Sequence, residues 1–238
     1  MTVHAAPTPV RVTPPPAVGV QLHPLSRRIM HWINALAILV MVGSGWRIYD
    51  SYPALPIDFG FPYEWTLGGD ISASEAIHNE DGLATALAWH FAGMWVLGLN
   101  FAAYLVIGFL SGHFRRDFLP LGPRAFMHDF FAALRFRLEH RLGEYNAVQK
   151  AFYWGVLAAV AVTILSGLSI WKPVQLQELT WVFGGYEFAR VVHFFGMAGI
   201  VAFLAVHIAL TMLVPKTLVA MIRGSASSAP HLRNGPER

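Results

Sequence analysis

The chain contains no cysteine. That absence removes three chemistries at once: disulfide cross-linking, thiolate ligation of iron–sulfur clusters and thioether attachment of c-type haem. Any bound metal must be held by other ligands. Charge is also scarce. Asp, Glu, Lys and Arg make up 13% of the 238 residues, about half the share of an ordinary soluble domain, while 55% are apolar and the mean hydropathy is +0.47. These proportions place the chain in a membrane rather than in water.

The scarcity of charge is concentrated. Four stretches lack Asp, Glu, Lys and Arg altogether: residues 29–46, 82–114, 151–171 and 191–215, which run to 18, 33, 21 and 25 residues. About 20 helical residues cross a hydrocarbon core, so each stretch is long enough for one crossing. The second is too short for two, and its excess is expected to project beyond the core or to tilt. The expected fold is an all-α membrane protein, a bundle of four transmembrane helices over residues 22–222. Residues 1–21, rich in Pro, Val and Thr, and residues 223–238 are expected to be disordered tails. Ser26-Arg27-Arg28-Ile29 has the look of a twin-arginine signal, but His31 and Asn34 follow it and no small-residue cleavage site does, so a retained first span is expected.

The connecting segments give an orientation. Residues 47–81 carry seven acids against the single Arg47, and residues 172–190 carry two charges of each sign. The N-terminal tail, residues 115–150 and the C-terminal tail hold the other fourteen of seventeen basic residues, so both termini are expected in the cytoplasm of a cell whose inner membrane holds the chain. Trp32, Trp46, Trp154 and Trp171 lie near the expected span ends, where indoles favour the headgroup level. Between the second and third spans, Phe126, Phe130, Leu134 and Leu138 recur at a spacing near four among Arg135, Arg137 and Arg141. This pattern fits an amphipathic helix on the membrane surface or a solvated basic connector.

Four of the eleven histidines, His31, His90, His193 and His207, fall inside the apolar runs. An imidazole in hydrocarbon is costly unless it faces the bundle interior and finds a partner. Their depths sort them into two levels. His31 is near the inner end of the first span and His207 near the inner end of the fourth; His90 and His193 are both near outer ends. His193 and His207, 14 residues apart, share one helix face with roughly 21 Å between them along the axis. The pairs expected are therefore His90 with His193 and His31 with His207. Paired neutral imidazoles on facing helices supply the two axial ligands of a haem iron. Zinc would need three or four ligands at one level, and no acid or cysteine lies in the runs to complete such a site. A proton relay gives no reason for two matched levels. Gly43, Gly45, Gly93, Gly167, Gly196 and Gly199 would admit either a porphyrin edge or a close helix neighbour.

With these residues in order, the His31-Trp32 start of the first span, His90, the string Tyr145-Asn146-Ala147-Val148-Gln149-Lys150, and His193 and His207, the chain resembles the bacterial di-haem cytochrome b family. That family includes cytochrome b561 and the b-type cytochrome subunits of nickel–iron hydrogenase, formate dehydrogenase and thiosulfate reductase. The resemblance covers about residues 22–222 and implies a four-helix core with two b haems and a quinone site near the inner one. Carried onto this sequence, it makes Asn146 and Gln149 hydrogen-bonding candidates for quinone; helix capping and interface solvation explain the same residues. Some hydrogenase-type relatives carry a fifth span that this chain lacks.

Arg47, Lys172 and Arg190 are the only basic residues on the outer side, each where a span emerges. They suit haem propionates, and they equally suit snorkelling anchors. The expected function is transfer of electrons across the inner membrane between the quinone pool and a periplasmic oxidoreductase, such as a molybdenum enzyme, or a c-type cytochrome. The acidic outer segment then serves as its docking face. Two alternatives are a superoxide:quinone oxidoreductase acting at the outer haem and a structural anchor for a larger complex.

Overall fold

The computed structural model describes residues 20–21, 24–57, 59, 65–68, 83–119, 121–135 and 146–226. The proline-rich tail, the end of the C-terminal tail, most of the acidic outer segment, and Arg137, Leu138, Arg141 and Tyr145 lie outside these residues. In chain order the elements are strand β1 (Val20–Gln21), α1 (Leu25–Ser51), α2 (Leu83–Leu110), a π-helical turn (Phe114–Phe118), α3 (Pro123–Leu134), α4 (Ala147–Trp171), α5 (Gln177–Val182), α6 (Tyr186–Leu213), α7 (Pro215–Arg223) and strand β2 (Ser225–Ala226). Apart from the two-residue strands, the described fold is all-α.

Helices α1, α2, α4 and α6 have 27, 28, 25 and 28 residues and are apolar enough to cross a membrane. At about 1.5 Å per residue they are roughly 37–42 Å long, enough for a hydrocarbon core of about 30 Å plus its interfaces. Their apolar side chains point mainly outward: Leu36, Leu99 and Phe109 are each about two-thirds exposed. Water would penalise such a surface heavily, whereas lipid solvates it at no cost. The four expected crossings are all present. The excess of the second run includes a turn. Helix α2 stops at Leu110, Gly112 takes a φ of 66° that only glycine adopts easily, and the chain folds back through the π turn.

Packing is extensive within two antiparallel hairpins, α1 along α2 and α4 along α6, and sparse between them. In the first hairpin Asn100 Nδ2 donates to Asn34 Oδ1 (2.7 Å) and to the Met30 carbonyl (2.8 Å). The hairpins meet mid-membrane through Phe101, Val160 and Ile200, with Ile38, Leu105 and Leu157 around them.

The end of the bundle that carries both termini, the inner one in the orientation expected from the loop charges, is tied by polar contacts. Asn146 and Gln149 close a capping box on α4: Gln149 N donates to Asn146 Oδ1 (2.8 Å) and Asn146 N to Gln149 Oε1 (3.2 Å). Asp129 of α3 accepts from the Ala147 amide (2.9 Å), which fastens the surface helix to the start of the span. Arg28 donates to the Met221 and Ile222 carbonyls at the end of α7. Val20 pairs with Ala226 and Gln21 with Ser225, so both ends of the bundle's chain lie on one side. This ribbon takes in residues the sequence reading gave to the two tails; backbone pairing of two residues leaves no hydropathy signature.

Replacing Asn100 with Leu is expected to cost about 1–2 kcal/mol, read by thermal unfolding in detergent, because it strips the Asn34 amide of its partner inside the apolar hairpin. The Asp129 carboxyl is held below its ordinary value of 3.8 by hydrogen bonds from His128 and the Ala147 amide. A depressed carboxylate stabilises the fold above its unfolded pKa and loses that contribution as pH falls through the folded value. Stability is therefore expected to decline below about pH 4, and an acid limb in Asp129→Asn as steep as in the parent would show that this contact is not responsible.

Candidate functional site

Two histidine pairs stand between the hairpins. At the outer end, His90 of α2 faces His193 of α6 with ring centroids 6.2 Å apart and planes at 67°. At the inner end, His31 of α1 faces His207 of α6 at 6.1 Å and 62°. All four rings are half-buried, presented to the space between helices rather than packed into it. The apolar contact of Phe101, Val160 and Ile200 separates the two levels.

The separation is informative. A direct N–H···N hydrogen bond of about 2.9 Å would bring two imidazole centres to roughly 5 Å. A metal ion bonded at about 2 Å to each nitrogen, with roughly 1 Å from nitrogen to ring centre, sets them about 6 Å apart. Both pairs match the second figure. Among the described residues no group of three or more His, Cys, Asp or Glu could hold a metal ion, so a zinc-type ligand set is not formed there. Two ligands per level suit an iron whose other four positions come from a porphyrin.

The outer pair opens into a cavity of about 390 Å³ between the hairpins. Its walls are largely apolar, with Phe91, Met94, Phe194 and Met197 beside the histidines. Arg190 is the one charged residue among the described lining residues, and it is already engaged, donating to Glu187 (2.8 Å) and to the Tyr52 and Pro53 carbonyls (2.8 and 3.0 Å). Neither Arg47 nor Lys172 lines the cavity. Arg47 is buried in α1, and the Lys172 ammonium lies 4.8 Å from the centre of the Trp171 ring. Of the three outer basic residues Arg190 alone lines the cavity, which linear sequence had no means to tell.

Each outer histidine is held from behind. His193 Nδ1 donates to the Thr163 carbonyl (2.9 Å) and lies 3.2 Å from Ser166 Oγ. His90 Nδ1 lies 3.0 Å from Ser44 Oγ. The sequence reading missed both serines, because a serine in a span is usually no more than a backbone-bonded packing residue. A Ser-Gly pair on each facing helix was the available signal. The glycines divide by role. A Cβ on Gly45 would come 3.2 Å from His90 Cε1 and one on Gly167 2.9 Å from His193 Cε1, so both make room for a ring. Gly93 instead admits Met41, and Gly196 admits Thr163, which is close helix packing. Gly43 admits Leu67, whereas Gly199 faces open space.

The inner pair is framed by aromatics. Phe203 stacks on His207 at 5.6 Å, and Trp32 meets His31 edge-on at 5.4 Å. Among the described residues no hydrogen bond to the His207 ring is formed. Asn146 and Gln149 stand at the same end of the bundle, with their carboxamide oxygens committed to the capping box.

Comparison with known proteins gives a family for the chain. Residues 22–224 match the family model described as prokaryotic cytochrome b561. A candidate protein-methionine-sulfoxide reductase subunit, YedZ1, of Azospira oryzae is 46% identical over 85% of this chain and 96% of its own length. The formate dehydrogenase cytochrome b556(fdo) subunit of Escherichia coli K12 is 24% identical over 85% of this chain and 83% of its own. A candidate Ni/Fe-hydrogenase B-type cytochrome subunit of Bradyrhizobium diazoefficiens is 26% identical over 76% and 73% respectively. The matched span takes in all four crossing helices and all four paired histidines, and the chain belongs to the prokaryotic cytochrome b561 family of membrane b-type cytochromes.

Proposed function

We propose that this chain is a two-haem electron carrier of the bacterial inner membrane, passing electrons between the quinone pool and an oxidoreductase on the outer side. The observation that carries the proposal is the pair of histidine couples, 6.1 and 6.2 Å between ring centres, at opposite ends of one bundle. His31 and His207 hold the inner b haem, and His90 and His193 the outer. The haems supply one-electron chemistry that no side chain here could supply. The residues position, insulate and orient. Phe101, Val160 and Ile200 insulate the two levels from each other, and Phe203 fixes the plane of His207.

The excess of basic residues on the side of the termini supports a cytoplasmic inner end. A quinone there would meet the start of α4, where the NH2 groups of Asn146 and Gln149 take no part in the capping box. On the outer side, similarity to YedZ1 favours a partner that reduces methionine sulfoxide in proteins. That reaction takes two electrons and two protons to give methionine and water, so electrons would run from quinol outward. The superoxide alternative gains little from the outer bases, since Arg190 is occupied by Glu187 and two carbonyls, and Lys172 lies over Trp171.

A reduced-minus-oxidised spectrum with haem quantitation tests the proposal: about two b haems per chain are expected, and protein purified without haem would end it. His90→Ala and His193→Ala should each lose the outer haem alone, and His31→Ala and His207→Ala the inner alone. Gly167→Ala places a methyl 2.9 Å from His193 Cε1. Overpacking of this kind costs about 1–3 kcal/mol, and the haem-to-protein ratio is expected to fall from about two towards one. An unchanged ratio and melting temperature would show that the ring does not need that space.

A further inference from the structure

We infer that Ser44 and Ser166 are matched positioning residues, one behind each outer histidine, belonging to a short ligand-holding device that the chain uses twice. The first line of support is a repeat within the sequence. Helix α1 carries Val40-x-x-x-Ser44-Gly45-x-x-Ile48, and α4 carries Val162-x-x-x-Ser166-Gly167-x-x-Ile170. Helix α2 carries His90-Phe91-x-Gly93-Met94, and α6 carries His193-Phe194-x-Gly196-Met197. Each hairpin therefore holds one copy of each string.

The second line is that the two copies make the same contacts. Ser44 Oγ donates to the Val40 carbonyl at 2.6 Å, and Ser166 Oγ to the Val162 carbonyl at 2.7 Å. The hydroxyls then lie 3.0 and 3.2 Å from Nδ1 of His90 and His193. The glycine after each serine clears the Cε1 edge of the same ring, and the glycine three residues after each histidine seats the residue three before the serine, Met41 or Thr163. Both serines are completely buried. The cavity between the histidines is walled by equivalent residues from the two hairpins, Phe91 with Phe194 and Met94 with Met197 among them.

The chemistry follows from proton counting. A serine hydroxyl has one hydrogen, and here each gives it to a backbone carbonyl, leaving only lone pairs towards the histidine. The ring nitrogen that faces those lone pairs must carry its own hydrogen, which in His193 is shared between Ser166 Oγ and the Thr163 carbonyl. Each device therefore fixes the Nδ1–H tautomer and turns the bare Nε2 lone pair towards the cavity, the form in which imidazole binds a metal. A hydrogen bond from Nδ1–H also pushes electron density towards Nε2, making the ligand more basic and favouring ferric over ferrous iron. Loss of the hydroxyl should raise the potential of the outer haem. The inner haem should be untouched, because both serines lie against the outer pair.

The inference rests on the two-haem reading, and one redox titration followed by b-type absorbance separates the two. Wild type, Ser44→Ala, Ser166→Ala and Ser169→Ala are compared, with His90→Ala identifying which transition belongs to the outer haem. Ser169 is an equally buried serine that donates to the Ser166 carbonyl at 2.8 Å rather than standing behind a histidine nitrogen. Higher outer-haem potentials are expected in Ser44→Ala and Ser166→Ala, with a shift in the low-spin ferric resonance of the same haem, while Ser169→Ala titrates as wild type. If Ser44→Ala does not load the outer site, Ser44→Thr, which keeps the hydroxyl, should load it at the wild-type potential. An unshifted Ser44→Ala, an equal shift in Ser169→Ala, or a Thr variant that also lacks the outer haem overturns the inference. Wild-type protein with fewer than two haems sinks the underlying reading instead.

Discussion

An imidazole inside a lipid-solvated bundle must have its nitrogens engaged, because hydrocarbon offers neither donor nor acceptor. In this chain four imidazoles are placed so that each ring faces another across a gap too wide for a hydrogen bond and suited to a shared ion. The bundle is arranged around that gap. Its tight packing lies within the hairpins α1–α2 and α4–α6, and the hairpins meet at an apolar contact of Phe101, Val160 and Ile200 and through single contacts such as Arg190 with the Tyr52 and Pro53 carbonyls. Two hairpins that packed along their whole length would close the space between the rings.

The rest of the fold keeps the hairpins in register from their inner ends. Asp129 fastens α3 to the first turn of α4, the Asn146–Gln149 box closes that turn, and Arg28 ties α1 to the end of α7. Polar bonds suit this task at the interface, where water is present but the helix termini still need acceptors and donors. The mid-membrane contact is purely apolar by contrast. It supplies no competing ligand between the two levels.

The two levels are built differently. The outer pair is backed by buried hydroxyls and carbonyls and opens into a cavity with Arg190 in its wall; the inner pair is framed by the Phe203 and Trp32 rings. Hydrogen bonding and dielectric around an axial ligand are the main protein levers on a haem potential. The proposed carrier therefore has its asymmetry written into the ligand surroundings, although both levels present the same pair of side chains to the iron.

The four crossings and the depths of the four histidines were legible in sequence because each depends on a one-dimensional quantity: the length of a charge-free run, or the distance of a residue from its end. Helical periodicity then put His193 and His207 on one face of α6 without further information. Other features depended on which helix neighbours which. That Gly45 and Gly167 serve rings while Gly93 and Gly196 serve helix packing, and that only Arg190 of the three outer bases reaches the cavity, follows from contacts between segments far apart in the chain. The same holds for the serines: Ser44 and Ser166 read as ordinary span residues until the fold sets an imidazole nitrogen against each. Sequence determined the membrane, the spans and the levels, since hydropathy and helical rise act locally; tertiary structure alone decided what stands behind and around each ring, since hydrogen bonds and steric clearance exist only once the helices meet.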